Sequence, residues 1–103
     1  MEKYRLTDET IVADRHTLHH IEALRDILMY AVEVGDLGGF IESTNNLNQN
    51  SDCWIADKAR VYDDAWVCGN AHVYGNARVH GHTWIYGDTW VCGNAQVSDN
   101  VWM

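Results

Sequence analysis

The chain of 103 residues has no proline, one phenylalanine, three cysteines and only seven basic residues. Without proline, no strand loses a backbone donor to the pyrrolidine ring, so hydrogen-bonded ladders can run uninterrupted. Cys53, Cys68 and Cys92 are odd in number and form no Cys-x-x-Cys pair. That argues against a disulfide framework and a zinc knuckle, and suits small, half-buried thiols in a reducing compartment. No apolar run is long enough to span a bilayer, so no membrane partner is expected. The opening stretch MEKYRLTDET lacks the apolar core of a signal peptide, and a cytoplasmic location is expected. Fifteen acidic residues give a net charge of −8, ten of the acids falling in residues 1–54. Direct binding to nucleic acid is not expected of such a chain. Its acidity suits either simple solubility or a basic protein partner.

What the chain has in abundance is repetition, and fixed-period repetition points to a solenoid. From Ile55 the sequence divides into IADKAR, VYDDAW, VCGNAH, VYGNAR, VHGHTW, IYGDTW, VCGNAQ and VSDNVW. The first position is always Val or Ile, and the third is always Gly or Asp. The fifth is Ala59, Ala65, Ala71, Ala77, Thr83, Thr89, Ala95 and Val101. In an extended chain the fifth residue and the following Val or Ile point to one side, and the residue between them points to the other. Small and branched residues therefore face a common core. Trp66, His72, Arg78, Trp84, Trp90, Gln96 and Trp102 are expected to face outward. The Gly-Asn and Gly-Asp pairs supply sharp corners.

The pattern Val-x-Gly-Asn-Ala-x resembles the hexapeptide repeat of left-handed parallel β-helices, over residues 55–103. That resemblance implies an all-β fold, a single left-handed parallel solenoid with three hexads per coil. The stretches YRLTDET, HTLHHIEALRD, GDLGGFIES and SDCWIAD resemble parts of small phage and prophage hexapeptide-repeat proteins, a group with no single function. Spacing alone leaves two coil lengths open, two hexads or three. Tyr62, Tyr74 and Tyr86 recur at every second hexad, a period that aligns Trp54, Trp66, Arg78, Trp90 and Trp102. With three hexads to a coil, Trp66, Trp84 and Trp102 share one face, and Trp54, His72 and Trp90 another.

Residues 1–36 are expected to cap the solenoid and residues 37–103 to form it. Leu18, Ile21, Leu24 and Leu28 fit a helical period, whereas the resemblance makes KYRL and TLHHIEAL capping strands. Strands are the favoured reading, with a short helix over 22–32 as the alternative. Gly35 to Gly39 reads as a turn, Phe40-Ile41-Glu42 as the first solenoid strand, and 45–50 as a polar loop. The sequence is still in the repeat at Met103, so self-association into a dimer or trimer is expected, end to end or through the tryptophan columns.

Outward aromatics carry the main functional signal, because exposed apolar patches mark contacts. The candidate contact residues are Trp54, Trp66, Trp84, Trp90, Trp102, Tyr62, Tyr74 and Tyr86. Arg60 and Arg78, one three-hexad coil apart, are candidates for holding phosphate between subunits, and His80 and His82 for polar contacts. His80 and His82, like His16, His19 and His20, are better read as ordinary polar residues than as metal ligands. No G-x-S-x-G, phosphate loop or H-E-x-x-H occurs, so no catalytic residue and no cofactor is expected. The expected function is non-enzymatic: a phage-encoded binding protein that inhibits a host defence system. It would occlude a protein complex as an anti-CRISPR does, or sequester a small nucleotide signal. The alternatives are an acyltransferase using acetyl-coenzyme A, with His72 or His80 as base, and a structural virion or assembly module.

Overall fold

A computed structural model describes residues 2–98. Eleven strands and two single 3-10 turns make up the regular structure of these residues. No helix among them is long and apolar enough to cross a membrane.

The hexads form a parallel β-solenoid of about three turns. Each hexad contributes a two-residue strand: β4 (Trp54–Ile55), β5 (Arg60–Val61), β6 (Trp66–Val67), β7 (His72–Val73), β8 (Arg78–Val79), β9 (Trp84–Ile85), β10 (Trp90–Val91) and β11 (Gln96–Val97). Arg60 pairs with Arg78, Trp66 with Trp84 and His72 with Trp90, each pair separated by three hexads of sequence. The coil is therefore three hexads long, and the two-hexad spacing of the tyrosines has no structural counterpart. With β3 (Leu37–Ile41), the strands stack into three faces: β3-β5-β8-β11, β4-β7-β10 and β6-β9. The first coil is slightly longer. Trp54 pairs with His72 at the regular three-hexad interval, whereas the bridge from Leu47 to Val67 spans a little more than three hexads. The surplus lies in the polar loop between Leu47 and Trp54.

The alternation predicts the core. Ile55, Val61, Val67, Val73, Val79 and Ile85 are fully buried, and so are Ala59, Ala71 and Ala77. Thr83 replaces alanine in this column and is buried too, its hydroxyl donating to His80 O at 2.7 Å. That bond removes the cost of an unpaired buried hydroxyl. Corner residues are left-handed throughout the described hexads, with φ of 64–72° at the glycines and 57° and 59° at Asp57 and Asp63. The two aspartates compensate for that conformation. Their carboxylates accept the amides of Gly75 and Gly81 on the next coil, both at 3.1 Å.

The cap is an antiparallel hairpin, β1 (Tyr4–Ala13) and β2 (His16–Ala23), continued by β3 (Leu37–Ile41). β3 is antiparallel to β2 and parallel to β5, so one sheet joins cap and solenoid. The strand reading of the cap holds. The helical period through Leu18, Ile21, Leu24 and Leu28 does not, since Leu24 and Leu28 are exposed. Only a 3-10 turn, Leu28–Tyr30, breaks the chain between β2 and β3. Gly38 and Gly39 lie inside β3 rather than in the preceding turn. A Cβ on Gly38 would sit 2.5 Å from Ile55 O, and one on Gly39 2.6 Å from Ala59 O. Two glycines let the cap strand close directly onto the first coil. Lys3 is wholly buried at this junction, its ammonium donating to Ser51 O at 2.7 Å and Cys53 O at 2.5 Å. Burial pulls its pKa below the usual lysine value.

Candidate functional site

The three-hexad coil distributes the candidate residues over different faces. Trp66 and Trp84 stand on the β6-β9 face, Trp54 and Trp90 on the β4-β7-β10 face, and Arg60 and Arg78 on the β3-β5-β8-β11 face. The tyrosines lie just beyond strands of three separate faces. Within one chain, the tryptophans and arginines do not line a common groove.

Two candidates are not available to a partner. Trp54 is 2% exposed, because its indole packs into the cap core with Tyr4, Ile21, Ala23 and Ile27. Tyr62 is 1% exposed, between His16 and His80 and against Ala13 and Leu18. Its hydroxyl donates to Asp14, and burial with that bond pushes its pKa up to about 12. The hexads do not anticipate either burial, because the cover comes from residues outside the repeat. Trp102 lies outside the described residues.

The remaining aromatics form two clusters on adjoining faces. On one, Trp66 and Trp84 meet edge to face with ring centres 5.5 Å apart. With Cys68 and Tyr86 they line an open, mainly apolar groove of about 440 Å³. On the other, Tyr30 stacks on His72 at 4.0 Å, and Trp90 stands edge-on to both His72 and Tyr74. Tyr30 donates its hydroxyl to Asn70 O, which fixes the segment before β3 over the first two coils of this face. Exposure follows from that cover: His72 is half-buried, whereas Trp90 is 62% exposed. Trp84 and Tyr86 are 48% and 46% exposed. The outward aromatic surface is thus concentrated near the C-terminal end of the described solenoid.

A polar cleft of about 400 Å³ lies on another side, lined by His16, Glu42, Asp63, Asp64, Gly81 and His82. His16 Nδ1 is 2.8 Å from Glu42 and its Nε2 is 2.7 Å from Asp63. The bond to Glu42, with the charges of Glu42, Asp63 and Asp14, raises the His16 pKa above its ordinary value. His80 and His82 approach Asp63 and Asp64 at 3.9 and 3.4 Å. His16, Glu42 and Asp63 lie close enough together to hold a metal ion. As placed, the His16 imidazole bridges two carboxylates and clamps the hairpin to the first two coils. No sequence spacing brings His16 to Asp63; the sheet shared by cap and solenoid does.

His72, a candidate base in the acyltransferase alternative, has a buried Nε2 with no hydrogen-bond partner. Burial among aromatic rings lowers its pKa and keeps it neutral. His80 stacks on Tyr62 with ring centres 4.9 Å apart.

No protein-family model matches the chain, and no curated protein is detectably similar to it in sequence.

Proposed function

We propose that the protein is a non-enzymatic binding protein that acts by occlusion, seating an apolar anchor of a basic protein partner on its outward aromatic surface. The observation that carries this reading is the exposure of Trp84, Tyr86 and Trp90, whereas the other large rings among the described residues are buried or partly buried. Aromatic side chains of this size lose little entropy when fixed and bury much area, which suits them to anchor an interface. The net charge of −8 favours a basic partner and speeds encounter with it. The resemblance to small phage and prophage hexapeptide-repeat proteins makes a host defence complex the first partner to test. Copies of the chain are read as associating into a dimer or trimer, leaving part of the aromatic surface for the partner.

The test is affinity purification from host cells of the wild-type protein and a Trp84→Ser/Trp90→Ser variant, with quantitative mass spectrometry. A basic protein complex retained by the wild type and depleted about tenfold or more by the variant is expected, the size of change when two anchors are lost. Equal recovery on both baits refutes the reading. The neutral His72 gives an acetyl-coenzyme A-dependent acyltransferase its one supporting feature, although its Nε2 is covered. A rise in melting temperature with acetyl-coenzyme A would favour that enzyme.

A further inference from the structure

We propose that the cleft between Lys58, Arg60, Asn76 and Arg78 binds the phosphate group of a small molecule. It lies on the β3-β5-β8-β11 face and does not depend on the aromatic surface. Arg60 and Arg78 are direct partners in the parallel ladder, so both project from the same face one strand spacing apart. Lys58 donates its backbone amide to Gly75 O, which sets it beside Asn76 in the same way. Two successive coils thus supply two donors each to one cleft of about 150 Å³. Gln96 follows Arg78 in register, and the Asn76 amide donates to Asn94 at 3.4 Å, so the column continues in neutral amides.

Charge accounting makes this cleft stand out. The chain carries seven bases against 15 acids, and three of the seven meet here. Arg5 and Arg25 each form an ion pair, with Glu22 and Asp52. Among the described residues, no carboxylate lies within ion-pair distance of Lys58, Arg60 or Arg78, and no acid lines the cleft. Asp14 acts on Arg78 only at longer range. Like charges facing each other across a ladder oppose folding. A molecule with acids to spare leaves this repulsion uncompensated, and a bound dianion would relieve it. Two guanidinium forks, an ammonium and a carboxamide suit the oxygens of a tetrahedral phosphate. The overall charge of −8 repels a long polyanion, which makes a phosphomonoester or pyrophosphate the fitting class rather than nucleic acid.

The experiment is an amide-resolved NMR titration with inorganic phosphate and with pyrophosphate, at low ionic strength held constant with chloride. Saturable shifts confined to residues 57–61 and 75–79 are expected, with pyrophosphate the tighter ligand. Arg78→Gln is expected to weaken binding about tenfold or more, because a charge-assisted bond is lost. Arg60→Gln carries the same prediction, and Arg78→Lys falls between. Both arginines are partly exposed and their side chains make no hydrogen bond or ion pair among the described residues, and the variant spectra report folding directly. Shifts that fail to saturate, that spread over the surface, or that persist unchanged in both glutamine variants overturn the proposal.

Discussion

Gly69 and Gly87 occupy the same corner of successive coils and share almost the same backbone, with φ of 66° and 64°. They differ in what lies against them. A Cβ on Gly69 would sit 2.8 Å from Gly87 N, 3.2 Å from its O and 3.3 Å from its Cα, whereas a Cβ on Gly87 meets no described atom within 4 Å. Alanine in a left-handed conformation costs about 1–2 kcal/mol, offset by about 0.4–1 kcal/mol from the stiffer unfolded chain. Gly87→Ala should therefore cost no more than about 1.5 kcal/mol. Gly69→Ala carries the same amount plus overpacking against backbone, which cannot rotate away, of about 1–3 kcal/mol. Urea unfolding of the two variants measures the difference, and in thermal melts it amounts to at least about 4 °C. Gly75 and Gly93 repeat the comparison one corner further on, with the Gly75 Cβ 2.9 Å from Gly93 N and the Gly93 Cβ clear of every described atom. Equal losses within each pair would refute stacking in three-hexad coils. So would a larger loss at Gly87 or Gly93.

Three further outcomes follow from the same geometry. Lys3→Met leaves the buried Cys53 carbonyl and the part-buried Ser51 carbonyl without their ammonium donor and should cost about 1–3 kcal/mol in urea unfolding; unchanged stability would show that the donor is dispensable. His16 has a raised native pKa, so its contribution is complete below the unfolded value near 6.5 and is lost as pH rises through the native value. The stability gap between wild type and His16→Gln should therefore narrow as pH rises from below the unfolded value through the higher native one, and a gap that widened would refute the clamp. Trp84→Ser/Trp90→Ser should alter stability by only about 0.5 kcal/mol in urea unfolding, as expected for surface positions; a loss of several kcal/mol would show that these rings hold the fold rather than a partner.

The solenoid was legible in the sequence because its physics is local. Each hexad carries its own inward pair and its own corner, so Val61, Ala65, Val67 and Ala71 announce their burial without reference to distant residues. The lack of proline and the Gly or Asp at the third place of every hexad agree with that reading. Coil length was legible only through family resemblance, since Tyr62, Tyr74 and Tyr86 follow a shorter spacing that the backbone ladder ignores. The cap is where local reasoning ended. Trp54 and Tyr62 look like outward residues in their hexads, and only β1, β2 and the segment around Tyr30 cover them. The same long-range folding sets His16 between Glu42 and Asp63 and fills the junction with Lys3. These contacts join distant parts of the sequence, and no periodicity encodes them. Gly38 and Gly39 did carry a signal, but their pairing reads as a turn until the coil beneath them is known.

Cross-strand NMR contacts between backbone protons probe the coil most directly, because neighbouring parallel strands place them within reach only at the true register. Contacts linking Arg60 with Arg78, Trp66 with Trp84 and His72 with Trp90 are predicted. Contacts linking Trp66 with Arg78 and Arg78 with Trp90 instead would put tyrosines and tryptophans in different columns and contradict the architecture on which every surface assignment rests.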